Sequence, residues 1–224
     1  WKFFFGLQQK QYLPVGHCIA WGAACLPFLA WGLISIKRIV SEHRKEILLL
    51  AMMGAYAFVL SALKIPSVVT ASSSHPTGTG LGAILFGAPA MAVLGIIVLL
   101  FQAVLLAHGG LTTLGANTFS MAIAGPFLSW GVYKLLKKCK VNQPVSIGIA
   151  CALGDLFTYV VTSLQLGVAH PSEVGGVGAS VAEFMGIFAV TQLPLAVIEG
   201  VLSAVVFMLL QNFAKPELRE IGMI

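Results

Sequence analysis

One short polar segment carries the residue types from which a ligand or metal site can be built. Residues 72–80 read Ser-Ser-Ser-His-Pro-Thr-Gly-Thr-Gly, the longest run of small and polar residues in an otherwise mostly apolar chain. Its histidine, His75, presents an imidazole, the commonest side-chain ligand of metals in proteins. A polar, glycine-rich loop of this kind suits a metal ion or a small ligand, and an ordinary connection between helices is the alternative.

The polar neighbours of His75 are predicted to orient its imidazole. Ser74 and Thr77 carry hydroxyl groups that can fix the tautomer of a metal-bound histidine. A second polar segment, residues 108–117, adds His108 and Asn117 as further supporting residues, with helix capping as the competing interpretation. One histidine is not a metal site, because a square-planar nickel or copper centre needs about four donors.

Three acidic residues lie inside long apolar runs, namely Asp155, Glu183 and Glu199. Intramembrane acids are rare and are often functional. Asp155 shares helical spacing with three polar residues, which predicts one face turned to the bundle interior: Thr158, Tyr159 and Thr162. Because no lysine or arginine lies mid-span beside Asp155 or Glu199, a hydrogen-bonded structural acid is favoured over a proton relay.

The composition places the whole chain in a membrane. Of its 224 residues 58% are hydrophobic and only 9% are charged, with a mean hydropathy of +0.94, whereas soluble domains carry about 25% charged residues. The apolar runs are long and non-alternating, so they predict helices and not a barrel. The net charge of +5 comes from basic residues at the ends of the runs, which indicates topology and no nucleic-acid binding.

The apolar runs predict an all-α integral membrane protein. Its spans lie at about 17–36, 46–63, 81–107, 113–136, 144–166 and 180–210, the last broken at Pro194. Residues 81–107 form either one long helix or a pair that turns at Gly87. Only the pair places the basic clusters 37–45, 134–140 and 215–219 together in the cytoplasm. We therefore expect about seven transmembrane helices, one short or re-entrant, with the N-terminus and the His75 loop outside.

The predicted organisation is a single transmembrane domain over residues 13–212. Residues 1–12 form an atypical N-terminal tail, and residues 213–224 form a cytoplasmic tail. The sequence has no GxxxxGK[ST] nucleotide-binding loop and no nucleophile elbow. We therefore predict a multi-pass protein of the cell (inner) membrane that is not an enzyme, and any uphill transport by it needs energy from a partner or an ion gradient.

Three blocks of this sequence resemble one known family, and together the likeness covers nearly the whole chain after residue 12. They are Leu13–Trp21, Ser74–Ala83 and His108–Asn117. They are similar to the nickel and cobalt substrate-binding (S) components of energy-coupling factor (ECF) transporters, the NikM and CbiM proteins, and look closer to the nickel branch. The resemblance implies an S-component bundle that captures Ni²⁺ or Co²⁺ from outside as transported substrate. Its implied partners are a transmembrane coupling protein (T component), two cytoplasmic ABC-type ATPases and a small accessory membrane protein.

The resemblance also implies a near-planar site of four nitrogen donors. One is the imidazole of His75. The others are the terminal amine, the second backbone nitrogen and the second imidazole of a Met-His-Ile-Met-Glu-Gly start immediately before Tyr12. Here residues 6–11 stand in that place without a Met-His pair. Of these donors the printed chain retains His75 alone, so either an extension has destroyed the site or these residues are not the native start.

Two other functions compete with metal capture. An S component for an organic micronutrient such as a vitamin would need aromatic and hydrogen-bonding groups around a larger cavity, and the polar loops here are poor in aromatic residues. A membrane redox subunit binding haem or quinone would need imidazoles that face each other within the spans. The histidines of this chain lie at predicted span ends instead.

Overall fold

The computed structural model describes residues 13–42, 46–63, 65–66, 73–106 and 109–224. The helices are α1 Val15–Glu42, α2 Glu46–Ala62, α3 Thr79–Phe86, α4 Ala88–Leu105, α5 Leu114–Asn117, α6 Gly125–Lys138, α7 Gln143–Ala169, α8 Gly176–Phe213 and α9 Lys215–Glu220. A π-helical segment, Thr118–Ala124, joins α5 to α6. Two short strands, β1 Ile65–Pro66 and β2 Ser73–Ser74, lie between α2 and α3.

Four of these helices are long and apolar enough to cross a bilayer, namely α1, α4, α7 and α8. The shorter α2 is also apolar, and α5, the π-helical segment and α6 follow one another without a gap from residue 114 to 138. The prediction of a helical multi-pass membrane protein is confirmed. Its only departure from all-α structure among the described residues is the strand pair.

The largest helix–helix contact joins α7 and α8. At its centre a side chain on Gly148 would stand 3.0 Å from the carbonyl oxygen of Gly200, and one on Gly200 would stand 2.7 Å from that of Gly148. These two glycines therefore let the backbones meet. In a bilayer, where lipid tails are as apolar as leucine, such close backbone packing is a main source of helix association. The pair α7–α8 is the platform on which the polar loop rests.

The run 81–107 is two helices, as the charge argument required. Gly87 ends α3 and begins α4 with φ of 90°, a left-handed conformation that favours glycine. Pro89 lies in the first turn of α4, where a missing N–H costs nothing. All eight residues of α3 are buried, and at helical rise it is about 12 Å long. It is a short helix held inside the bundle.

Two expectations change at the C-terminal end. The predicted break at Pro194 is wrong, because α8 continues through it for 38 residues; transmembrane helices tolerate proline where neighbouring groups satisfy the freed carbonyl. Residues 213–224, expected as a tail, pack against the bundle. Leu218 is fully buried, and the Gln143 side-chain amide donates to the Met223 carbonyl at 2.8 Å.

Candidate functional site

The polar loop is held at the centre of the protein between the strand pair and α3. β1 and β2 pair antiparallel, with Ile65 opposite Ser74, and the loop then runs from His75 to Gly78 into α3. Every residue from 74 to 80 is buried. Gly78 has φ of 65°, and a side chain there would stand 2.8 Å from the Cα of Ala57 in α2. The glycine is therefore required both by backbone conformation and by the close approach of α2.

The imidazole of His75 is 6% exposed and has a defined tautomer. Its Nδ1 lies 3.0 Å from the carbonyl oxygen of Pro76. Because a carbonyl can only accept, Nδ1 carries the proton and donates it, and Nε2 carries the lone pair. This is the usual arrangement of a histidine that ligates metal through Nε2.

The hydroxyl groups next to His75 bond to α8 and not to the imidazole. The Ser74 hydroxyl lies 2.7 Å from that of Thr191, and the Thr77 hydroxyl donates to the Glu199 carboxyl at 3.2 Å. The tautomer is thus set by the adjacent Pro76 carbonyl. Ser74 and Thr77 instead fasten the loop to the bundle, because side-chain partners across 117 and 122 residues of sequence are closer to them than the ring is.

The backbone of the loop is bonded as closely as its side chains. The His75 N–H donates to the Tyr159 hydroxyl at 3.1 Å, and that hydroxyl donates to the His75 carbonyl at 3.2 Å. The Thr77 N–H donates to Glu199 Oε2 at 2.5 Å. The Thr79 hydroxyl donates at 3.0 Å to the Met121 carbonyl in the π-helical segment. Helices α7 and α8 and the π-helical segment therefore all position this loop.

Two of the three intramembrane acids meet beneath the loop. Asp155 on α7 and Glu199 on α8 are both buried, and their carboxyl groups are electrostatic neighbours. The predicted interior face of α7 is confirmed at Asp155 and Thr158, which are buried. Glu183 is only half-buried and lies nearly four helical turns before Glu199 on the same helix.

Sequence reasoning missed the glutamine that completes this cluster. The Gln192 side-chain amide donates to Asp155, joining α8 to α7. The signal was present, because Gln102, Gln165 and Gln192 each stand inside an apolar run and each is buried. A polar amide in a bilayer is costly unless it is bonded. Gln165 follows the same rule, since it donates to the Ala116 carbonyl at 3.1 Å.

The two residues of the second polar segment remain apart from the loop in what the structure describes. His108 lies outside the described residues. Asn117 is half-buried, and its amide lies 3.5 Å from the Thr113 hydroxyl of its own turn, a local contact. Their supporting role stays a prediction.

The start of the described chain lies at the same end of the bundle as His75. Leu13, just before α1, packs on the apolar cluster Leu166, Phe184 and Phe188. Tyr159 packs on the same cluster, with its ring 5.3 Å from that of Phe188, and its hydroxyl is bonded to His75. Residues directly before Leu13 are therefore attached within reach of the loop.

The described residues alone supply one imidazole donor at this point. Among them no group of three or more histidine, cysteine or acidic side chains could hold a metal ion. A tight metal site built on His75 thus needs donors from beyond the described residues, which is consistent with the N-terminal nitrogens that the resemblance implies.

Comparison with known proteins identifies the family. Residues 9–218 match the CbiM family model, described as the cobalt uptake substrate-specific transmembrane region. The chain belongs to the CbiM family. Cobalt transport protein CbiM of Lachnoclostridium phytofermentans is 61% identical over 96% of this chain and 86% of that protein. The CbiM protein of Moorella thermoacetica is 57% identical over 95% and 82%, and that of Streptomyces coelicolor is 55% identical over 96% and 92%.

A solved structure shares the architecture. A truncated transition metal transporter superposes with a TM-score of 0.75 and 27% identity over 90% of this chain and 96% of that chain. The CbiM assignment confirms the predicted family and makes the chain a transport component of a membrane and not an enzyme. The preference for the nickel branch gains no support, because the family model and the curated relatives named above are described by cobalt.

Proposed function

We propose that this CbiM-family chain is the substrate-specific membrane subunit that captures Co²⁺ from outside for ATP-driven uptake by an ECF-type transporter. The observation that carries the proposal is the buried, hydrogen-bonded His75 imidazole in a chain whose family is described by cobalt uptake. Ni²⁺ is the second candidate substrate. Imidazole nitrogen suits both ions, and protein sites separate them by geometry and supply more than by affinity.

The proposed site combines His75 with nitrogens placed before Leu13. Its Nε2 lone pair is one donor, and the contacts of Leu13 and Tyr159 explain how a preceding amine and a Met-His imidazole reach it. Neither alternative ligand has comparable support. A vitamin site would need a roomy polar cavity near the loop, but residues 74–80 are close-packed. Haem needs axial ligands that flank its plane, and His17 and His170 lie at helix ends.

The proposed assembly follows from the chemistry that the chain lacks. Its sequence contains no nucleotide-binding loop, so two cytoplasmic ATPases and a membrane coupling protein would supply the energy, with a small accessory membrane protein as a further partner. The bilayer itself covers the apolar outer faces.

The first test is a ligand screen on a version of the chain that begins Met-His-Ile-Met-Glu-Gly directly before Tyr12, here called the Met-His version. We expect Co²⁺ and Ni²⁺ to raise its melting temperature by several degrees, because binding at 100 times Kd adds about 2.7 kcal/mol of stability. Thiamine, riboflavin and haem are expected to leave it unchanged. The variant His75→Ala should lose the shift and His43→Ala should keep it. Stabilisation by a vitamin or haem and by no metal would replace the proposal with one of its alternatives.

We further propose seven membrane-embedded helical segments with the N-terminus outside. These are α1, α2, the short α3, α4, the segment 114–138, α7 and α8. The supporting observation is the turn at Gly87, which returns α4 toward the side from which α3 entered. With that turn the basic residues after α1 and those at the end of α6 share the cytoplasmic side.

Labelling with a membrane-impermeant maleimide tests this topology. The background replaces Cys18, Cys25 and Cys151 and keeps the exposed Cys139. We expect Val174→Cys, which replaces an almost fully exposed side chain, to react in intact cells. Cys139, and Ser41→Cys in a Cys139→Ser background, should react only after permeabilisation. Reaction of Ser41→Cys and Cys139 from opposite sides of the membrane would refute the paired reading of α3 and α4.

A further inference from the structure

Two side chains from neighbouring helices hold the backbone of the His75 loop on either side of Pro76. Tyr159 of α7 bonds both backbone groups of His75, at 3.1 and 3.2 Å. Glu199 of α8 accepts from the backbone N–H of Thr77 at 2.5 Å and from its hydroxyl at 3.2 Å. Hydrogen bonds to a carboxyl group are stronger than neutral ones when it is ionised, and burial leaves these groups no water as a substitute.

The residue between these two points controls the imidazole. The Pro76 carbonyl is the acceptor for Nδ1–H of His75. Fixing the backbone at residues 75 and 77 therefore fixes the direction of that carbonyl, and with it the ring orientation and the position of the Nε2 lone pair. The direct neighbours of a ligand commonly act in this way, and their loss costs about 10- to 100-fold in metal affinity.

The two holding residues are themselves rigid. The Tyr159 ring packs on Phe188 of α8 with ring centroids 5.3 Å apart. The Gln192 amide of α8 donates to Asp155 of α7, next to Glu199. Because both contacts bridge α7 and α8, the hydroxyl of Tyr159 and the carboxyl of Glu199 keep a fixed separation, whatever occupies the site.

We infer that Tyr159 and Glu199 are positioning residues, which hold the His75 loop in its metal-binding conformation before any metal arrives. The metal part of this inference rests on the proposed function, whereas the loop part does not. Neither residue contacts the ion; each acts through the backbone of residues 75–77. Removing either group leaves a buried backbone N–H unpaired, so the loop must rearrange to satisfy it.

The experiment measures loop order and Co²⁺ affinity separately. In the metal-free printed chain, hydrogen exchange of a peptide covering residues 73–80 is compared with that of a peptide from the middle of α7. We expect Glu199→Leu and Tyr159→Phe each to speed exchange of the loop peptide about tenfold and to leave the α7 peptide unchanged. In the Met-His version the same variants are expected to raise the Co²⁺ Kd about tenfold or more. Glu199→Gln, which keeps an acceptor oxygen, should restore much of both losses.

Matched controls lie on the same two structural units. Glu183→Leu removes a half-buried acid from α8, and Tyr133→Phe removes a hydroxyl that accepts from Gln143 at the other end of α6. Both controls should behave as the parent chain does. Unchanged loop exchange in Glu199→Leu and Tyr159→Phe overturns the inference, as does faster exchange shared equally by the α7 peptide. If Glu199→Leu does not fold, Tyr159→Phe and Glu199→Gln decide. If the parent Met-His version binds no Co²⁺, the proposed function fails while the exchange data still decide the role of the two residues.

Discussion

The Met-His version of the chain is expected to bind Co²⁺ at least about 100-fold more tightly than the printed chain, and His75→Ala is expected to abolish that gain. The reason is donor number: one imidazole cannot hold the ion alone, whereas an amine, a backbone nitrogen and two imidazoles form a four-nitrogen set that suits square-planar Ni²⁺ and also accepts Co²⁺ or Cu²⁺. The structure supplies the route, because Leu13 and Tyr159 pack on one cluster and Tyr159 is bonded to His75.

Isothermal titration calorimetry on four proteins measures this effect: the printed chain and the Met-His version, each with and without His75→Ala. We expect tight binding in the Met-His parent alone, and almost no effect of His75→Ala in the printed chain. His43→Ala serves as the control for loss of any histidine. Since binding displaces protons from the amine and the amide, affinity should fall as pH is lowered. Tight binding by the printed chain that survives His75→Ala would place the site elsewhere in the molecule.

Uptake of radioactive cobalt by this chain alone is expected to be near background, and co-expression with a coupling protein and two ATPases should restore it. Accumulation against a gradient needs an energy source, and the sequence contains no loop that could bind nucleotide phosphates. The chain by itself would therefore bind its substrate and accumulate little of it.

Accumulation in cells under an external Co²⁺ supply measures this dependence. The control keeps all partners but replaces the phosphate-binding lysine of the ATPases, which should return uptake to background without changing Co²⁺ binding by the chain. Accumulation by the chain alone at the rate of the complete set would contradict the proposed dependence on ATP and would require an ion gradient instead. In that case the buried Asp155–Glu199 pair would be the first place to seek a proton relay.

Local pattern in the sequence determined most of the architecture. Apolar run length predicted the helices, because each span must satisfy its own backbone in lipid and needs about 20 apolar residues. The turn at Gly87 was predicted from the placement of lysines far from it, since basic clusters share one side of a membrane. The pattern failed at Pro194, because a helix end depends on whether neighbours satisfy the freed carbonyl and not on the proline alone.

The sequence also singled out His75, but it did not show what holds it. A lone histidine in a polar loop among apolar runs is visible in composition, whereas hydrogen-bond partners are decided by which helices pack together. Ser74 and Thr77 were expected to bond the imidazole and instead bond residues more than 100 positions away. Gln192 was passed over and joins Asp155. Only the tertiary structure could decide these pairings, because the glycine contact between α7 and α8 brings Tyr159 and Glu199 to the same loop, and no local period in the sequence encodes that contact.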